Sequence, residues 1–111
     1  MNKWNFMSNP FGDVILDVFL KRNRITVLNH KRETCYDGDV FGAISFLRSV
    51  INLFINEGLM KTTLVFNLHY NDNVEAMTGS FSSSLDSLMR SYRYSDKIRL
   101  KKRTVGMDVR G

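Results

Sequence analysis

Apolar and polar residues alternate along 13–20 (DVILDVFL), with Val14, Leu16, Val18 and Leu20 on one side of the chain. A period of two predicts a strand with one buried face. The other face is mixed, because it carries Asp13, Ile15, Asp17 and Phe19. Lys21-Arg22-Asn23-Arg24 comes next, and Asn23 tolerates the positive φ of a tight turn. Alternation resumes from Arg24 to about Lys31 through Ile25 and Val27, so the two segments read as a β-hairpin with a basic tip. A short strand at Trp4 to Met7 is an optional addition before it.

The stretch 33–38 (ETCYDG) reads as a connection, and Asp39 as the N-cap of the strongest element. From Val40 to Asn56 the polar positions Gly42, Ser45, Ser49, Asn52 and Asn56 recur at alternating threes and fours. That spacing marks one side of an α-helix. Nearly every other position is apolar, so the helix is expected to be surrounded on most sides, by sheet or by a second copy of the chain. Its small residues Gly42, Ser45 and Ser49 would permit close approach of another helix. Packing into the chain's own core is the simpler reading, and a homodimer contact the alternative. Gly58 is the expected stop.

Residues 61–70 (KTTLVFNLHY) form the clearest strand, with Leu64, Phe66, Leu68 and Tyr70 on one side and Thr63, Val65, Asn67 and His69 on the other. Residues 71–80 read as a polar turn region. A second helix then starts near Ser82 or Ser83, with Leu85, Leu88, Met89 and Tyr92 along one face and Ser83 with Asp86 as a weak capping box. Finally, Lys97 to Val105 alternates Ile98 and Leu100 with cations, as an edge strand would. The order β-β-α-β-α-β predicts an α+β fold, a small single-domain sheet packed against two helices.

Composition sharpens this picture in three ways. A chain of 111 residues is enough for one domain over 1–111, and 43 % hydrophobic with 12 % aromatic content is that of a globule. The single cysteine, Cys35, cannot form an internal disulfide and fits a reducing, intracellular setting in cytoplasm or nucleus/nucleoid. The N-terminus has no apolar signal-like core, and no stretch approaches the about 20 apolar residues of a bilayer span, so neither export nor a membrane partner is expected.

Charge is the most informative property. Arg90, Arg93, Lys97, Arg99, Lys101, Lys102, Arg103 and Arg110 face only Asp86, Asp96 and Asp108, so the last quarter carries the entire formal net charge of +5. Residues 97–111 would form a basic strand or arm. Lys21, Arg22, Arg24, Lys31 and Arg32 make a second cluster. Between the two clusters, acids dominate. Polarisation of this kind favours a polyanion, with nucleic acid the first candidate. The run Arg90-Ser91-Tyr92-Arg93-Tyr94 interleaves cations with rings. Such interleaving suits a single strand, in which bases stack on aromatics while cations hold phosphates.

The expected binding residues are therefore Arg90, Arg93, Lys97, Arg99, Lys101, Lys102 and Arg103 for phosphate and Tyr94 for stacking, with Lys21, Arg22 and Arg24 as a secondary contact. The plainer reading is that Tyr92 is core and the cations only solubilise the surface. The alternative partner is an acidic protein, met by the same basic face in a small viral or mobile-element accessory factor.

No pattern for catalysis stands out. His30, Cys35 and His69 lack both the base-and-orienter arrangement of a nucleophile and the ligand spacing of a metal site. Asp13 and Asp17 share a strand face, but Asp37, Asp39 and Glu57 are scattered, and a metal-dependent nuclease needs carboxylates that converge. The segment 38–43 (GDVFGA) lacks the Gly-Lys-Ser/Thr of a phosphate-binding loop. No enzyme, metal or cofactor is expected.

Overall fold

The computed structural model describes residues 13–56, 63–92 and 95–104. Five strands and two helices occur in the order β1 (Val14–Lys21), β2 (Arg24–Leu28), β3 (Thr34–Gly38), α1 (Val40–Asn56), β4 (Leu64–Tyr70), α2 (Glu75–Arg90) and β5 (Ile98–Thr104). They form one α+β layer structure on a mixed sheet of order β3-β2-β1-β4-β5. The hairpin β1–β2 and the pair β2–β3 are antiparallel, whereas β1–β4 and β4–β5 are parallel. The positions proposed for a strand at Trp4–Met7 and for a stop at Gly58 lie outside the described residues.

The two crossovers, β1 to β4 and β4 to β5, step across the sheet in the same direction. With the right-handed crossover that twisted strands impose, both helices must lie on one face. The core agrees: Val14, Leu16, Val18, Leu20, Ile25, Val27, Leu64, Phe66, Leu68 and Ile98 meet α1 and α2 in a single buried cluster. From α1 come Ala43, Leu47, Val50, Ile51 and Phe54, at the spacing of one helical face. From α2 come Phe81, Leu85 and Met89. Tyr92, just past α2, donates its hydroxyl to Asn52 Oδ1 at 2.9 Å and ties the two helices together.

The expected turn and cap are both present. Asn23 adopts φ 57° in the β1–β2 turn, and Asp39 Oδ1 accepts the Gly42 amide at 2.7 Å. Gly42 has a more local purpose than helix–helix approach. A Cβ there would collide with the Tyr36 hydroxyl, which donates to the Asp39 carbonyl at 2.9 Å. The polar stripe of α1 faces outward, with Ser45, Arg48, Ser49, Asn52 and Asn56 exposed, and Phe41 is 85 % exposed beside it.

Two elements differ from the sequence expectation. Residues 34–38 form a strand, where a connection is expected. The strand is short and polar, lies at the sheet edge, and contains a register shift opposite Val27 and Leu28. Helix α2 begins at Glu75, well before Ser82. Its first turns bury Thr78 and Ser82, polar residues that interrupt the apolar period carried by Val74, Met77 and Phe81. Thr78 remains satisfied by donating to the Val74 carbonyl at 2.7 Å. The Ser83–Asp86 pair is therefore mid-helix and not a cap.

A candidate nucleic-acid interface on the second face of the sheet

Because both helices occupy one face, the alternate residues of each strand point to the other. On that second face no described helix or strand is packed. The register aligns its residues into rows across the sheet. One row runs Asp37, Thr26, Phe19, His69 and Arg103 from β3 to β5. The next includes Leu28, Asp17, Asn67 and Lys101, and the one beyond it Ile15, Val65 and Arg99. Lys21 and Arg24 pair one step past Phe19, toward the hairpin tip.

Parallel pairing puts the carboxyl ends of β1, β4 and β5 at the same end of the sheet. The hairpin tip and the last residues of β5, about eighty positions apart in sequence, are thus separated by two strand spacings, about 10 Å. Lys21, Arg22, Arg24, Arg99 and Lys101 are all exposed. Arg24 is partly neutralised. Its Nε and Nη2 donate to Asp37 Oδ1 and Oδ2 at 2.7 and 3.0 Å, and Thr26 Oγ1 adds a donor to the same carboxylate at 3.1 Å. The hydrogen bond from Arg24 holds the Asp37 carboxyl below its ordinary range and raises the Arg24 guanidinium in turn.

The centre of this face carries a polar cluster. His69 Nε2 lies 2.8 Å from Asp17 Oδ1, and Asn67 Nδ2 donates to the same oxygen at 3.3 Å. Phe19 and His69 stack, with centroids 4.5 Å apart and planes at 15°. Asp17 and Asp37, the two acids at these described positions on β1 and β3, are therefore both engaged by protein groups. The flanks of this face expose Lys21, Arg22, Arg24, Arg99 and Lys101, whereas its aromatic centre is half-buried, with Val65 only 6 % exposed.

The remaining candidates sit elsewhere. Lys97 ends a short 3-10 turn (Ser95–Lys97) ahead of β5 and is half-buried. Lys102 is exposed but shares the alternation of Ile98 and Leu100, toward the helix side. Arg90 lies on α2, on the opposite side of the sheet, with its Nε 2.9 Å from Asp86 Oδ2. Arg93 and Tyr94 lie outside the described residues, and Arg103 is placed through its backbone register alone. Sequence reasoning did not single out Phe19, Thr26 and Asn67 as site residues, and weighed His69 only for catalysis or metal. Their signal was weak: a strand whose second face mixes acid, ring and aliphatic.

Cys35 and His69 are on strands β3 and β4, three spacings or about 14 Å apart across the sheet. Burial pushes the Cys35 thiol up to about 11, so little thiolate forms near neutrality. Alkylation by iodoacetamide at pH 7.5, followed by mass spectrometry, is expected to run roughly a hundredfold slower than for a free thiol. A rate equal to that of free cysteine would contradict this burial. Among the described residues no three His, Cys, Asp or Glu side chains converge as a metal site would require. No described helix is long and apolar enough to cross a membrane.

Compared with known family models, with curated proteins and with solved structures, the chain matches none.

Proposed function

We propose that this chain binds single-stranded nucleic acid and acts without catalysis. One observation carries the reading. Two basic clusters remote in sequence, Lys21–Arg24 and Arg99–Lys101, flank the same face of one sheet, with a ring pair between them. A strand laid across the sheet would meet cations at both margins and aromatics at the centre, the combination that single-strand binders use. A surface about 10 Å across the two margins suits a flexible backbone better than a rigid duplex groove. Lys21, Arg22, Arg99, Lys101 and Arg103 are the proposed phosphate contacts. Arg24, already held by Asp37, is a weaker one.

The test is fluorescence anisotropy of labelled single-stranded and duplex DNA and RNA, titrated at several salt concentrations. Single strands are expected to bind more tightly than duplexes. With four or five phosphate contacts, log K should fall against log salt with a slope of roughly −3. Absence of binding even at low salt would overturn the reading and turn attention to an acidic protein partner for the same cations.

A further inference from the structure

The Phe19–His69 stack has a direction. Its centroid separation of 4.5 Å is close to the spacing of adjacent strands, so the rings stack across the sheet and stand edge-on to it. Each ring covers one face of the other. The remaining face of Phe19 then looks toward β2, where its partner in register is Thr26. Thr26 is the smallest of the described side chains in its row, beside Asp37, Phe19 and His69. Its hydroxyl is turned to Asp37, away from the ring's approach. Along this row Phe19 and Asp37 stand two strand spacings, about 10 Å, apart, and the shorter Thr26 side chain between them marks the gap in which a planar ring about 3.4 Å thick would stand.

The wall of this gap is preorganised. Asp17 fixes the His69 imidazole at 2.8 Å, His69 backs Phe19, and His69 and Asp17 side chains are only 16 % and 20 % exposed. A ring that is already held loses little freedom when a ligand stacks on it. The nearest charges are two cations and two acids that protein groups already engage, Asp17 by His69 and Asp37 by Arg24. Lys21 is one step away on β1, and Arg24, held by Asp37, borders the gap itself.

From this geometry we infer that an unpaired nucleobase docks on the side of Phe19 that faces β2, over Thr26, extending the Phe19–His69 stack to three rings. The inference rests on the nucleic-acid reading above and adds the position and chemical class of what is read: one base of a single strand. Backbone phosphates on either side of that base then reach Lys21 toward the hairpin and the β5 cations beyond His69.

Two variants of the full chain test it, each checked for its fold by circular dichroism. Phe19→Leu keeps an apolar side chain but removes the π-face. Thr26→Tyr leaves Phe19 in place and fills the gap from within. Each is measured by anisotropy against a labelled single-stranded oligonucleotide and against an abasic strand of equal length. Both variants are expected to bind the intact oligonucleotide roughly tenfold or more weakly than the native chain, with Phe19→Tyr restoring affinity. The native chain should also bind the abasic strand about as weakly as the variants bind the intact one. Native affinity in Thr26→Tyr, or equal binding of abasic and intact strands by the native chain, would overturn the docking site while leaving phosphate binding standing. If Phe19→Leu fails to fold, Thr26→Tyr decides alone. No binding of either strand by the native chain would defeat the underlying nucleic-acid reading itself.

Discussion

Replacing Lys101, Lys102 and Arg103 together with glutamine is expected to abolish binding of single-stranded nucleic acid at physiological salt and to leave the fold intact. Lys101 and Lys102 are exposed on an edge strand, their register partners Asn67 and Leu68 are uncharged, and neither lysine makes an ion pair among the described residues. Surface changes of that kind alter stability by no more than about 0.5 kcal/mol each. Their effect on a polyanion is much larger, because each phosphate contact releases a condensed counterion. Lys102 points to the helix side, so the triple change removes the two proposed contacts at Lys101 and Arg103 and should flatten the salt dependence by about 1.4 units of log–log slope. The control is Arg90→Gln. That guanidinium is tied to Asp86 on the helix side of the molecule, so binding should hardly change. An unaltered dissociation constant in the triple variant would remove β5 from the interface. An equally large loss in Arg90→Gln would move the interface to the helices.

The largest stability effect is expected at Phe66. It is fully buried at the centre of β4, between Leu16 of β1 and Leu100 of β5. Phe66→Ala removes a ring from a position where the sheet on either side and the helices above prevent collapse, so the cavity cost adds to the transfer cost. Together these amount to about 3–5 kcal/mol. A domain of this size has only about 5–15 kcal/mol in total. A fall in melting temperature on the order of 15 °C follows, with an earlier urea midpoint at unchanged slope. A loss below about 1 kcal/mol would mean that this part of the core is loosely packed.

The parts of the fold that sequence reveals are those in which apolar residues carry the periodicity. β1 and β4 alternate cleanly, and α1 shows its polar stripe from Gly42 to Asn56, so these elements and the Asp39 cap can be read directly. β3 is hidden because Thr-Cys-Tyr-Asp-Gly has the composition of a turn. It becomes a strand only because Tyr36 packs on α1, with its ring 5.5 Å from Phe46, and Asp37 is claimed by Arg24. The first half of α2 is hidden because Thr78 and Ser82 fill core positions. Charge counting locates the basic segments but cannot see that Arg24 and Arg90 already have carboxylate partners. The central cluster is illegible for a different reason. Asp17 and His69 are 52 positions apart, and no local pattern encodes parallel pairing or its register.

That separation also fixes when the surface comes into being. The β1–β2 hairpin, basic tip included, is a local structure of the kind that closes in about 1–10 μs. Pairing β1 with β4 must instead enclose β2, β3 and α1 before any contact rewards the lost chain entropy. A partly folded chain therefore displays cations but has no Phe19–His69 stack. The basic tip precedes the completed ring pair, and ring stacking at Phe19 reports that β1 and β4 have met.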